Sequence, residues 1–119
     1  MANILIVDDS VSIRKMVKFA LETAEHKVVE ATDGKTGLAE AQQEQYDIVV
    51  TDVNMPNMDG IELTRNLRIL PNYKYTPIIM LTTEAMEEKK AEGKAAGVTG
   101  WILKPFQPNK LIAVVNKVA

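Results

Sequence analysis

The chain predicts a doubly wound α/β fold in which five β-α units form one parallel sheet with helices on both faces. Three observations lead there. Short, largely apolar runs at residues 4–7, 46–50 and 78–81 have the character of strands buried on both sides. Between them lie stretches whose apolar residues recur with helical period. Strand and helix alternate along the whole length, which implies parallel pairing through right-handed crossovers.

The elements follow in order. Residues 4–7 (Ile-Leu-Ile-Val) form a buried first strand that ends at Asp8-Asp9. From Ser10 or Ser12, either a plausible N-cap, a helix runs to about Ala24. Its Ile13, Met16, Val17, Ala20, Leu21 and Ala24 share a face, with Arg14, Lys15, Lys18 and Glu22 turned elsewhere. His26 falls in Glu25-His26-Lys27, where a solvated turn is expected. Residues 27–31 make a shorter, more polar strand that suits a sheet edge. Asp33-Gly34 turns into a helix through Leu38 and Ala41. The third strand, residues 46–50, leads to Asp52 and a loop. A helix then covers about residues 60–70, with Asp59 as its N-cap. Pro71 and Pro77 bracket a loop, and a fourth buried strand ends at Thr82-Thr83. The next helix runs from Glu84 to about Ala96 and stops at Gly97, a C-terminal cap. Residues 100–103 form a fifth strand that ends at Lys104-Pro105. From Gln107 a last helix puts Leu111, Val114, Val115 and Val118 on one face.

Composition narrows the function. The 119 residues fit a single domain spanning 1–119, with 46% hydrophobic and 25% charged residues as in ordinary globular proteins. A net charge of −2 provides no basic surface for nucleic acid or anionic membrane. The absence of cysteine rules out disulfides, thiolate nucleophiles and cysteine-bound metal. The lone His26 cannot build a histidine metal site or a triad. No segment reads as a membrane span or signal peptide, so a cytoplasmic location is expected.

Four of the five strands end in polar or ionisable residues: Asp8-Asp9, Asp52, Thr82 and Lys104. In open α/β sheets that carboxyl edge is where ligands bind. Three carboxylates gathered there repel one another unless a cation sits among them. An all-oxygen set with room for water suits Mg²⁺, which favours one or two carboxylates plus a phosphate. Lys104 adds a mobile positive charge and Thr82 a hydroxyl. Together they describe a pocket for a phosphoryl group carried on a carboxylate.

The set resembles the receiver domain of two-component response regulators, and the resemblance covers the full chain. It is carried by Ile6-Val7-Asp8-Asp9, by Asp52 with Met55-Pro56 and Met58-Asp59-Gly60, by Leu81-Thr82, and by Lys104-Pro105-Phe106. With no residues left over for an output module, the chain is similar to the stand-alone, chemotaxis (CheY-like) type. The resemblance implies a flavodoxin-like sheet of order 2-1-3-4-5, an order that belongs to such folds and that the strand pattern alone does not dictate. It implies Asp52 as phosphoacceptor and a CheA-like histidine kinase as phosphoryl donor. It gives Mg²⁺ to Asp8, Asp9, Asp52 and the backbone carbonyl of Asn54. Thr82 and Lys104 then hold the phosphoryl group, with a cis peptide before Pro105 to aim the lysine inward. The output target it suggests is the flagellar motor switch, and a monomer is expected.

Asn54 and Glu84 lie two residues past Asp52 and Thr82, where the family controls the access of water; ordinary solvated side chains are an equal reading. Trp101 stands where the family usually has Tyr or Phe. The indole is either an exposed partner anchor or a ring packed on the edge strand. The expected output face comprises the helix from Glu84, the strand at Trp101 and the helix after Gln107, kept low by Ala85, Ala91, Gly93, Ala95 and Ala96. A phosphate sink for a shared kinase is an alternative. An aspartyl-phosphate phosphohydrolase is disfavoured, because Asn54 occupies the position where that class typically carries an acid. A flavin binder is disfavoured by the charge of Asp8-Asp9, and a constitutive interaction module by the intact acidic set.

Overall fold

The strands align in the order β2-β1-β3-β4-β5, and every adjacent pair is parallel. The computed structural model describes residues 1–83 and 87–119. The elements are β1 (Asn3–Val7), α1 (Val11–Thr23), β2 (Lys27–Ala31), α2 (Gly34–Gln43), β3 (Ile48–Asp52), α3 (Gly60–Ile69), β4 (Ile78–Thr82), α4 (Glu87–Ala96), β5 (Gly100–Leu103) and α5 (Pro108–Val118). A single 3₁₀ turn, Pro71–Tyr73, lies in the loop between the two prolines. The proposed start of the fourth helix at Glu84 lies outside the described residues.

Alternation along each strand sorts the core into two layers. Ile4, Ile6, Val50, Ile79, Leu81 and Ile102 pack with Val17 and Leu21 of α1 and with Leu111 and Val115 of α5. Leu5, Val7, Val49 and Ile78 pack on the opposite face with Ala41 of α2 and with Leu63 and Leu67 of α3. The polar strand β2 is indeed an edge, with Lys27 and Glu30 exposed. Among the described residues no helix is long and apolar enough to cross a membrane.

The structure corrects the sequence reading at several points. The third strand begins at Ile48 and includes Asp52, which pairs in register with Leu81. Tyr46 stands outside the ladder because its N–H is taken by the buried Tyr73 hydroxyl at 3.1 Å. Ser10, not Ser12, caps α1, its hydroxyl accepting from the Ile13 N–H. Met16 is 36% exposed where the periodicity turned it inward. Gly97 does end α4: at φ 103° its N–H reaches the Lys94 carbonyl while the Val98 N–H reaches Gly93. The same carbonyl end is gripped by Arg68, whose Nη2 donates to the Gly97 oxygen at 2.7 Å while Nη1 donates to Tyr73 and Thr76. A guanidinium there meets the negative end of the helix dipole.

His26 is not in a solvated turn; it is buried. Its Nδ1 accepts the Ala2 N–H at 3.1 Å, so the ring proton sits on Nε2 and is donated to Asn116 Oδ1 at 2.8 Å. The ring ties the start of β1 to the last turn of α5. His26→Ala strands a buried backbone N–H, and we expect a loss of about 1–3 kcal/mol in urea unfolding. A loss within error of zero would show that the bridge contributes nothing.

Candidate functional site

Parallel register brings the strand ends together. Val7 pairs with Thr51, Asp52 with Leu81, and Thr82 with Leu103, so Asp8, Asp52, Thr82 and Lys104 meet at one edge. Asp8 lies one residue beyond β1 and is fully buried. Such a carboxylate needs partners, and it has them: Oδ1 accepts the Ser10 N–H at 2.9 Å and Oδ2 meets Lys104 Nζ at 3.1 Å. Asp9 is exposed and, among the described residues, its carboxylate has no hydrogen bond or ion pair.

Asp52 closes β3 with its Oδ1 held by the Val53 N–H at 2.9 Å and by Lys104 Nζ at 3.3 Å. Burial pushes its carboxyl above the ordinary carboxylate range and the charge of Asp8 adds to this, with Lys104 pulling the other way. Oxygens of Asp8, Asp9 and Asp52 all come within 4.8 Å of one another. This close, all-carboxylate set fits a hard divalent cation. Lys104 bridges two of its members and is itself largely buried. The Lys104–Pro105 peptide is cis. Thr82 is buried at the end of β4, and its carbonyl accepts the Lys104 N–H at 2.7 Å.

The loop after Asp52 is fixed from several sides. Asp59 caps α3 by accepting the Glu62 N–H at 2.8 Å, and the Gly60 N–H returns to the Val53 carbonyl at 2.8 Å. Asn57, at φ 69°, donates to Asp33 of the α2 capping box, and Gly34 N–H donates to the Met58 carbonyl. Asn54 is exposed on this loop. Glu84 lies outside the described residues, as does Ala85.

Trp101 is half-buried and packs with Val53, Ile61, Met80 and Ala96, so the ring lies between β5 and α4. Its seat depends on Gly93: a Cβ there would stand 2.3 Å from indole Cζ2. Gly93 and Ala96 are therefore buried, while Ala91 and Ala95 stay on the surface. We expect Gly93→Ala to push the indole out, shifting the emission of the sole tryptophan to the red and raising its quenching by acrylamide. Unchanged emission in a folded variant would show that the notch does not hold the ring.

Sequence reasoning missed Arg14 and Arg68. Periodicity assigned Arg14 to an outer face, yet its Nη1 donates to the Asp8 carbonyl at 2.7 Å. Helical phase tells the side from which a side chain departs; it does not tell where a long one ends.

The response regulator receiver domain model matches residues 4–116. Chemotaxis protein CheY-3 of Vibrio cholerae is 41% identical over 116 residues, covering 97% of this chain and 89% of that protein. The structure of CheY4 from Vibrio cholerae superposes with TM-score 0.96 at 50% identity, covering 100% of this chain and 99% of the other. The receiver domain of sensor histidine kinase PA1611 from Pseudomonas aeruginosa, solved with a magnesium ion in its active site cleft, is similar at TM-score 0.90 and 27% identity, covering 98% and 95%. The chain belongs to the response regulator receiver domain family, the phosphorylation-dependent signalling switches of two-component systems.

Proposed function

We propose that Asp52 accepts a phosphoryl group from the phosphohistidine of a CheA-like histidine kinase, and that the protein acts as a stand-alone switch in chemotaxis. The observation that carries this is the cluster of Asp8, Asp9 and Asp52 with Lys104 bridging two of them at 3.1 and 3.3 Å. An Asp52 oxygen attacks phosphorus and the P–N bond to the kinase imidazole breaks. The ring nitrogen leaves with the electron pair and takes up a proton.

Asp8, Asp9, Asp52 and the Asn54 carbonyl are the groups to hold Mg²⁺, which when bound neutralises phosphoryl oxygens; the ion in the PA1611 cleft supports this. Lys104 then pairs with the phosphoryl group and Thr82 donates its hydroxyl to it. Asn54 and Glu84 govern how water reaches the phosphoaspartate. The chemistry stays within the protein's own aspartate, so this is a signalling protein and not an enzyme with a turnover substrate. It works in the cytoplasm as a monomer, with no nucleic-acid partner. The face around Trp101 and α4 changes its affinity for an output target, in the leading case the flagellar motor switch. A phosphate sink draining a shared kinase uses the same chemistry.

Intact mass after incubation with a small phosphodonor tests the reading. One labile phosphoryl adduct that requires both Mg²⁺ and Asp52 is the expected result. A folded, Mg²⁺-binding protein that takes no adduct would point to a module that works unphosphorylated. A motor-protein peptide that binds both forms equally would remove the chemotaxis output.

A further inference from the structure

Asp9 poses a physical question. It belongs to the acidic cluster, yet it is exposed and, among the described residues, its carboxylate has no hydrogen bond or ion pair. Only its backbone can hold it in place. The Asp8 carbonyl and the Asp9 N and Cα share one rigid peptide plane, so whatever grips that oxygen sets the direction in which Asp9 leaves the strand. The Asp8 N–H is bound to the Ala31 carbonyl at 3.1 Å. The Asp8 oxygen is bound by Arg14 Nη1 at 2.7 Å, one turn into α1.

Arg14 is itself braced. Its Nε donates to Glu30 Oε1 at 3.3 Å on the edge strand, and Glu30 Oε2 also pairs with Lys18 at 3.6 Å. Its side chain is only 13% exposed. A planar guanidinium can serve two acceptors in different directions, which an ammonium on a flexible stem does poorly. Glu30 also offsets the guanidinium charge, which would otherwise oppose a cation at the cluster.

We infer that Arg14, oriented by Glu30, is a positioning residue that clamps the Asp8-Asp9 peptide plane so that both carboxylates converge on the metal site. This rests on the Mg²⁺ reading above. Groups that orient metal ligands from behind typically change metal affinity about 10–100-fold when removed. Arg14→Met is therefore expected to weaken Mg²⁺ binding about tenfold. At saturating Mg²⁺ its maximal phosphorylation rate should recover to near wild type.

Calorimetric titration of the full chain with Mg²⁺ provides the test, with folding of each variant checked by circular dichroism. Arg14→Met, Arg14→Lys and Glu30→Gln should all bind more weakly, Arg14→Met most. Lys18→Met, which loses only a contact to Glu30, should stay close to wild type. If Arg14→Met fails to fold, Arg14→Lys and Glu30→Gln carry the comparison. Unchanged affinity in the Arg14 variants would overturn the inference. So would tighter binding in Arg14→Met alone, which would make the residue a counter-charge and not a clamp. A wild-type protein that binds no Mg²⁺ would defeat the metal reading itself, and this inference with it.

Discussion

Asp52→Asn is expected to make the protein more stable at neutral pH while removing its capacity to take a phosphoryl group. The Asp52 carboxyl lies above its ordinary value of 3.8, chiefly through burial and then through Asp8. The folded state thus holds the Asp52 proton more tightly than the unfolded chain does. The stability this brings is complete below the unfolded value and is lost as pH rises through the folded one. Once ionised, the carboxylate is a net cost to folding. Asparagine keeps the shape and drops the charge, and Lys104 still has Asp8 at 3.1 Å, so no buried ammonium is orphaned. A gain on the order of 1 kcal/mol is reasonable for relaxing a functional site. In urea unfolding with a chelator present, the gain should vanish below the ordinary value of 3.8 and grow as pH rises above it. Mg²⁺ should narrow it, because a cation that binds only the folded wild type stabilises that protein by mass action. A variant less stable than wild type at pH 7 would mean that the Lys104–Asp52 pair outweighs burial and repulsion.

The strand ends were legible because their chemistry is local. An apolar run that stops at Asp8, Asp52, Thr82 or Lys104 announces its boundary, and parallel alternation does the rest by carrying all four to one edge. Asp59 as a helix cap and Gly97 as a helix stop were readable for the same reason: each acts within a turn of itself. The features that escaped depend on partners distant in sequence. His26 looks like a turn residue until Asn116, 90 positions away, is brought against it. Arg14 looks like surface until the Asp8 carbonyl, just past the first strand, lies within its reach. Trp101 allowed two readings, exposed or packed, and the missing side chain of Gly93 on another element selects packing. The acidic cluster could be read as a pocket, but not the way Lys104 divides itself between Asp8 and Asp52.

Gly60→Ala should be the most damaging single substitution outside the cluster itself. Gly60 opens α3 immediately beneath the end of β3. A Cβ there would lie 2.1 Å from the Asp52 carbonyl oxygen, 3.0 Å from its carbon and 3.1 Å from Met80 sulfur. The obstacle is backbone, so no rotamer change relieves it. Either α3 retreats, stretching the Gly60 N–H bond to the Val53 carbonyl at 2.8 Å, or Asp52 shifts out of its pairing with Leu81. Overpacking with a single methyl commonly costs about 1–3 kcal/mol, and this site belongs at the top of that range, against a total stability of about 5–15 kcal/mol. The chemical loss should exceed the thermodynamic one. Displacing a reacting group by about 1 Å can slow a reaction about 100-fold, and the carboxylate displaced here is the proposed nucleophile. Gly100→Ala makes the control, since its Cβ would meet only Ile79 Cδ1 at 3.5 Å, an ordinary contact. Urea unfolding and the rate of adduct formation at saturating Mg²⁺ should both single out Gly60→Ala and leave Gly100→Ala near wild type. Equal behaviour of the two would show that the approach of α3 to the strand end is loose, and that Asp52 is placed by its side-chain partners instead of by its backbone.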